Sequence, residues 1–311
     1  MADDYQHQPV LLAEVLEALA IRSDGIYVDG TFGRGGHSQA VLKRLGQQGR
    51  LIVLDRDPAA IKVATEKWGN DQRVSIAHCA FSHIAEVAAR YAVTGQVNGI
   101  LLDLGVSSPQ LDDPNRGFSF LKPGPLDMRM DPSQGISAAE WLATATEVEM
   151  ATVLWEYGEE RYSRRIARAI VKARELELIK TTEQLAETVA KAHPAWEKGK
   201  HPATQSFQAI RIFINQELNE LKTCLSQCRE ILAIGGRLAV ISFHSLEDRI
   251  VKHFFRNEVT GEQFLSYLPL PTDYPQPWIR SVGRAIKPTK EEVVINPRAR
   301  SAKLRIAEKI P

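Results

Sequence analysis

Between Ile26 and Leu104, short apolar runs rich in β-formers alternate with stretches of helical period: IYVD, SQAVLKRL, LIVLD, PAAIKVATEKW, VSIAH, IAEVAARY and GILLDL. Alternation at this spacing predicts βαβ units around a parallel sheet. Runs such as GILLDL are apolar at consecutive positions, which predicts strands covered by helices on both faces. The pattern breaks after Leu104. Residues 105–135 are rich in proline and glycine and show neither a period of 2 nor one of 3.6. They nevertheless carry Phe118, Phe120, Leu121, Met128 and Met130, which predicts a structured lid or domain junction rather than a disordered linker. From Ser137 to about Leu232 the sequence is helical in character, with caps expected at Ser137, Thr146 and Thr181. Sheet-like sequence returns in GGRLAVISF at 235–243, a helix-like EDRIVKHFFRN follows, and SAKLRIAE reads as a last strand. The expected fold is therefore α/β, with residues 1–112 and 216–311 forming one domain around a helical insertion with its junction loop at 113–215. Residues 257–290 show no pattern that can be placed.

The chain has 311 residues, of which 44% are hydrophobic and 25% charged, a composition typical of globular proteins. A formal charge of +1 weakens any case for nucleic-acid binding through bulk electrostatics, so charge has to be read locally. Arg161, Arg165, Arg168 and Lys172 recur at helical spacing opposite Ile166, Ala169, Ile170 and Ala173. Such a stripe is either a solvated face or a phosphate-binding one. Lys198, Lys200 and His201 form a second basic group, and Arg298, Arg300, Lys303 and Arg305 a third. Cys79, Cys224 and Cys228 give no even disulfide framework, which favours free thiols in a reducing compartment. The acidic start MADDYQHQPVLLAEVLEAL lacks the basic and apolar regions of a signal peptide, and no run of about 18 apolar residues occurs. The expectation is a cytoplasmic protein with no membrane partner. None of the eight histidines makes an H-x-x-x-H pair or joins cysteines at ligand spacing, so no metal site is expected.

The candidate chemistry starts at IYVDGTFGRGGHS, residues 26–38, where Gly30, Gly33, Gly35 and Gly36 follow Asp29 at the end of the first expected strand. In an open α/β sheet the first strand-to-helix turn is a preferred nucleotide cradle. Asp55 ends the next strand, where a carboxylate can accept hydrogen bonds from both hydroxyls of a ribose. A dinucleotide fingerprint needs glycine or alanine where Ser38 stands, and it has no use for an acid four positions before Gly33. The pattern favours S-adenosylmethionine, with Asp29 near its ammonium group, over NAD. Phe81 follows the third strand and is either an adenine wall or a core residue, and Asp103 ends the fourth strand where a transferred methyl would be faced. An NAD-dependent oxidoreductase and a non-catalytic RNA-binding module remain as alternatives, the first weakened by Ser38 and the lack of a hydride-transfer site, the second by Asp29, Asp55 and Asp103 at three strand ends.

DGTFGRGGHS, LDRDP, LLDLGVSSPQLDDPNRGFSF, GPLDMRMD, YGEERYSRRIARAIV, HPATQSFQAIRIFIN, GGRLAVISFHSLEDRIVK and NPRARSAKLRIAE together resemble the RsmH family, also called MraW, from about Gln8 to Glu308. The resemblance implies a Rossmann-like class I methyltransferase fold and transfer of a methyl group from S-adenosyl-L-methionine. The acceptor it implies is N4 of a cytidine in small-subunit (16S) ribosomal RNA near the decoding site, within the assembled subunit. Carried over by residue, the family's cofactor contacts fall on Gly35, Gly36, His37, Asp55, Phe81, Asp103 and Gln110. Many amino methyltransferases present a D/N/S-P-P-Y/F/W tetrapeptide to the base, whereas this chain has Asp103-Leu104-Gly105-Val106. Asp103 is then the candidate acceptor for an amine proton, with His244 as a further polar candidate and Phe118, Phe120 or Phe243 as the stacking residue. Gly35→Val is expected to abolish cofactor binding while sparing the fold. A homodimer is left open.

Overall fold

The computed structural model describes residues 9–195, 201–260 and 276–311. Seven strands, β1 (Ile26–Asp29), β2 (Arg50–Asp55), β3 (Val74–His78), β4 (Val97–Asp103), β5 (Leu232–Ser242), β6 (Ile279–Ser281) and β7 (Lys303–Lys309), form one sheet in the order β3-β2-β1-β4-β5-β7-β6. The pairs from β3 through β5 are parallel, while β7 runs antiparallel to both β5 and β6. The chain winds outward from β1 to β3 and then crosses back to β4, so the strand order reverses beside β1. The carboxyl ends of β1 and β4 flank that reversal, which is where open α/β sheets bind ligands.

The apolar runs are divided between two cores according to the strand period of two. Val28, Ile52, Leu54, Ile100, Leu102, Leu238 and Val240 face one core, and Tyr27, Leu51, Val53, Leu101, Ala239 and Ile241 face the other. Helices 84–90, 217–231 and 245–260 cover the first face, and helices 12–18, 36–42 and 58–68 cover the second. Consecutive apolar residues are therefore required, because neither sheet face is left to water. The helix Pro58–Trp68 starts where the sequence requires it: Asp57 accepts from Ala59 N–H at 2.9 Å, and Pro58 occupies the first turn, where its missing N–H costs nothing.

Two compact units emerge, residues 1–105 with 218–311, and residues 106–217. The second unit begins at Val106, ahead of the expected Asp113, because Val106 and Leu111 pack against its core. The expected caps are formed: Ser137, Thr146 and Thr181 accept from Glu140, Glu149 and Gln184 N–H. The proline-rich junction is ordered by side chains that replace a regular hydrogen-bond ladder. Arg116 donates to the carbonyls of Arg129 and Met130 at 3.1 and 2.8 Å, and Asn215 pairs with Met128 O and Met130 N–H at 2.7 and 2.8 Å. Phe118, Leu126, Met128 and Met130 fill the core that these bonds enclose, whereas Leu121 is exposed.

β6 and the start of β5 escape the sequence pattern. β6 has only three residues, too few to show a period, and it exists through pairing with β7. β5 begins at Leu232 rather than Gly235, because the register jumps between Val97↔Leu232 and Gly99↔Arg237 and leaves Gly235 at φ 78° in an irregularity between them.

Candidate functional site

The loop after β1 is tied at both ends by Asp29. One carboxylate oxygen accepts from Thr31 N–H at 3.1 Å and the other from the Ser38 hydroxyl at 2.6 Å. Ser38 stands where a dinucleotide loop needs glycine because it closes this buried contact. Burial raises the Asp29 pKa, and its hydrogen bonds from Ser38 and Thr31 oppose that rise. Gly35 has φ 76°, and a Cβ there would lie 2.5 Å from the Phe32 ring; a Cβ on Gly36 would collide with Pro9 Cγ. The glycines thus serve the protein's own packing first, so Gly35→Val would strain the fold it was expected to spare.

Asp55, at the end of β2, clamps the same loop. Its two oxygens accept from Gly33 N–H and Asp57 N–H, both at 2.8 Å. Each oxygen keeps a lone pair for a further donor. Burial pushes the Asp55 pKa up to about 6 against those two bonds.

Asp103 and His37 meet at the neighbouring strand end, with His37 Nε2 3.7 Å from Asp103 Oδ2. Among the described residues Asp103 Oδ1 has no hydrogen-bond partner, although it is buried, and the His37 ring is buried beside it. Burial lowers the His37 pKa to about 4, partly opposed by the Val10 backbone, so its ring is neutral at pH 7. Burial raises Asp103 to about 8, and the negative charges of Asp29 and Glu247 add to the rise. Phe81 sits just past β3, its Cβ 3.3 Å from where a Gly30 Cβ would be, half-buried against the core. Glu247 is a residue the sequence reading overlooked. Its Oε2 accepts from Phe243 and His244 N–H at 2.9 and 3.3 Å, while Glu247 N–H donates to His244 Nδ1 at 3.5 Å. These reciprocal contacts cap the start of helix 245–260, and the glutamate three residues after His244 was the signal for them.

The residue classes at these strand ends suit a nucleoside that carries a cation. There is a carboxylate with lone pairs to spare at the end of β2, a half-buried ring after β3, and at the end of β4 an acid with one buried oxygen unpartnered among the described residues, beside the His37 imidazole of helix 36–42. A model of the MraW methylase family matches residues 4–310. The chain belongs to the MraW methylase family. Ribosomal RNA small subunit methyltransferase H of Nitrosococcus oceani is 58% identical over 304 residues, 97% of this chain and 96% of that protein. The proteins of the same name from Thioalkalivibrio sulfidiphilus and Coxiella burnetii are 57% and 55% identical, each match covering 98% of this chain and 97% and 99% of theirs. This MraW methylase has a Rossmann-like, doubly wound sheet with β7 reversed, and takes its methyl group from S-adenosyl-L-methionine. The residues present fit that donor: the Asp55 oxygens keep lone pairs suited to ribose hydroxyls, and among the described residues Asp103 Oδ1 is a buried acceptor without a partner, suited to a cationic group.

The remaining candidates belong to the second unit or are engaged elsewhere. Gln110 is buried, and its side-chain oxygen accepts from Ser107 N–H at 2.8 Å as part of a capping box. Phe118 lies in the second unit's core under the Arg116 guanidinium, and Phe120 packs against His201 and Phe207 at 4.6 and 4.8 Å. Both rings are committed to packing, which leaves Phe243, half-buried beyond β5, among the three phenylalanines. The third basic group is smaller than expected, since Lys303 and Arg305 pair with Asp248 at 2.8 and 2.7 Å. Lys198 and Lys200 lie outside the described residues. On helix 163–176, Arg164, Arg165, Arg168 and Lys172 are exposed, with Arg168 3.4 Å from Glu147. No helix among the described residues is long and apolar enough to cross a membrane.

Proposed function

We propose that this methylase transfers a methyl group to the exocyclic N4 amine of a cytidine in small-subunit ribosomal RNA, near the decoding site, within the assembled subunit of the cytoplasm. The observation that carries the chemistry is Asp103 at the end of β4, its Oδ1 buried without a partner. When bound, S-adenosylmethionine supplies an electrophilic methyl group on a sulfonium. The cytosine amine is a poor nucleophile because its lone pair is delocalised into the ring. Asp103 accepts a hydrogen bond from that amine, localises the lone pair, and takes the proton released once the N–C bond forms. A base whose pKa lies near the working pH suits this transfer, and burial holds Asp103 at about 8. His37, neutral beside it, leaves the acid's charge unquenched. Asp55 holds the ribose, Gly35 and Gly36 shape the loop that borders the cofactor, and Phe81 forms the adenine wall.

His244 serves chiefly to cap helix 245–260, and Phe243 is the residue that stacks on the base. A target base must leave its helix to be reached. The helical unit supplies the phosphate contacts that hold the RNA, through Arg161, Arg164, Arg165 and Lys172.

The test is to incubate the protein and methyl-labelled S-adenosylmethionine with assembled small subunits or with free 16S RNA, and to identify the labelled nucleoside by mass spectrometry after digestion. N4-methylcytidine from the assembled subunit is the expected product. Label on C5, on another base, or only on free RNA would refute that part of the reading.

A further inference from the structure

Asp103 is surrounded by groups that make its negative charge costly. Asp29 on β1 and Glu247 on helix 245–260 are the charges it feels, and both are acidic. From helix 36–42 it meets His37, whose ring is buried and neutral and whose Nε2 lies 3.7 Å away. Asp29 and Glu247 are fixed in place, the first by Thr31 and Ser38, the second by Phe243 and His244 N–H. Asp103 Oδ1 has no such donor. The cluster thus has an excess of carboxylates that an incoming cation would offset.

We propose that Asp103 is a proton-exchanging receptor for the sulfonium charge: it carries a proton when the site is empty or holds the neutral thioether product, and releases it when the cationic donor binds. The donor and the product differ by one methyl group and one positive charge, so the site distinguishes them by charge. After transfer the sulfonium charge is gone, and the proton shed by the methylated amine has a resting place on Asp103. Protonation removes the acid's hold on the cofactor, which favours exchange of product for fresh donor.

The inference rests on Asp103 facing the transferred methyl. Its test is calorimetric titration of the full chain with S-adenosylmethionine and with S-adenosylhomocysteine, in buffers of different ionisation enthalpy, so that protons exchanged are counted without turnover. With the free-state value of Asp103 at about 8, donor binding at pH 7 should release about one proton and product binding close to none, and donor affinity should fall about tenfold from pH 7 to pH 6. Asp103→Asn should erase the difference between the two ligands. Glu247→Gln keeps an oxygen to accept the Phe243 N–H while removing one negative charge, so it should move the fall in donor affinity to lower pH. Equal proton counts for the two ligands, or a Glu247→Gln profile that superimposes on the wild type, would overturn the proposal while leaving the methylase reading intact. Failure to bind either ligand would overturn both.

Discussion

Replacing Gly35 with alanine tests what the glycine loop is for. Gly35 sits at φ 76°, a region that costs a residue with a Cβ about 1–2 kcal/mol. The added methyl would lie 2.5 and 2.6 Å from two carbons of the Phe32 ring and 3.1 Å from Trp68. Phe32 has little room to retreat, being only 3% exposed and held edge-on against Trp68 at 5.6 Å. Overpacking of this kind costs about 1–3 kcal/mol. The two terms give a destabilisation of about 2–5 kcal/mol, which in a unit of this size lowers the melting temperature by on the order of 10 °C. Thermal and urea unfolding of the full chain, with no cofactor present, would measure it. Phe32→Leu in the same chain should recover part of the loss, since it removes the colliding atoms, and the coupling between the two sites should exceed about 0.5 kcal/mol. A Gly35→Ala protein as stable as the wild type but unable to bind S-adenosylmethionine would refute the packing argument and restore the loop to a purely ligand-facing role.

Asp55→Asn puts an NH2 group against a backbone N–H, Gly33 or Asp57, and removes the charge offered to the ribose; at about 1.5–3 kcal/mol per charged hydrogen bond, cofactor affinity should fall by at least about tenfold in a binding titration. Reversing Arg164 and Arg165 to glutamate should weaken binding to the small subunit and flatten its dependence on salt, with no change in S-adenosylmethionine affinity; an unchanged salt slope would remove these residues from the RNA surface. At Asp248, burial is outweighed by hydrogen bonds from Arg305 and Lys303, so its folded pKa lies below the unfolded one. Its contribution to stability is therefore full above the unfolded value and lost as pH falls through the folded value. Asp248→Asn should flatten the stability profile below about pH 4, as acid titration monitored by circular dichroism would show. Phe243→Leu should lower kcat/KM for RNA while leaving cofactor affinity within about twofold; an unaltered kcat/KM would exclude it as the stacking ring.

Much of the first unit was legible along the chain because its strands are covered on both faces and its helices start at strong local signals. Runs such as LIVLD and GILLDL need no partner to be recognised, and Asp57-Pro58 marks a helix start by itself. β6 was not legible, since three residues carry no period and the strand owes its existence to β7. The junction at 105–135 was recognised as ordered from its apolar residues, but its order comes from Arg116 and Asn215 reaching backbone carbonyls, as distant in sequence as Asn215 is from Met128. Lys303 and Arg305 looked like phosphate ligands until Asp248, remote in sequence, was found between them.

The sequence by itself determined the alternation of strands and helices, the acids at three strand ends, and the family, because these depend on residue type and local spacing. Only the tertiary structure decided how each acid behaves. Asp29 accepts from Thr31 and Ser38 within its own loop, Asp55 accepts from Gly33 and Asp57 and so clamps that loop from the next strand, and Asp103 is left beside a neutral histidine with one oxygen unpartnered among the described residues. Three aspartates of one residue type thus differ in charge cost and in available lone pairs. The physical reason is that desolvation and nearby charge are set by what packs around a carboxylate, and here those neighbours, Ser38, Gly33 and Glu247, come from other segments of the chain.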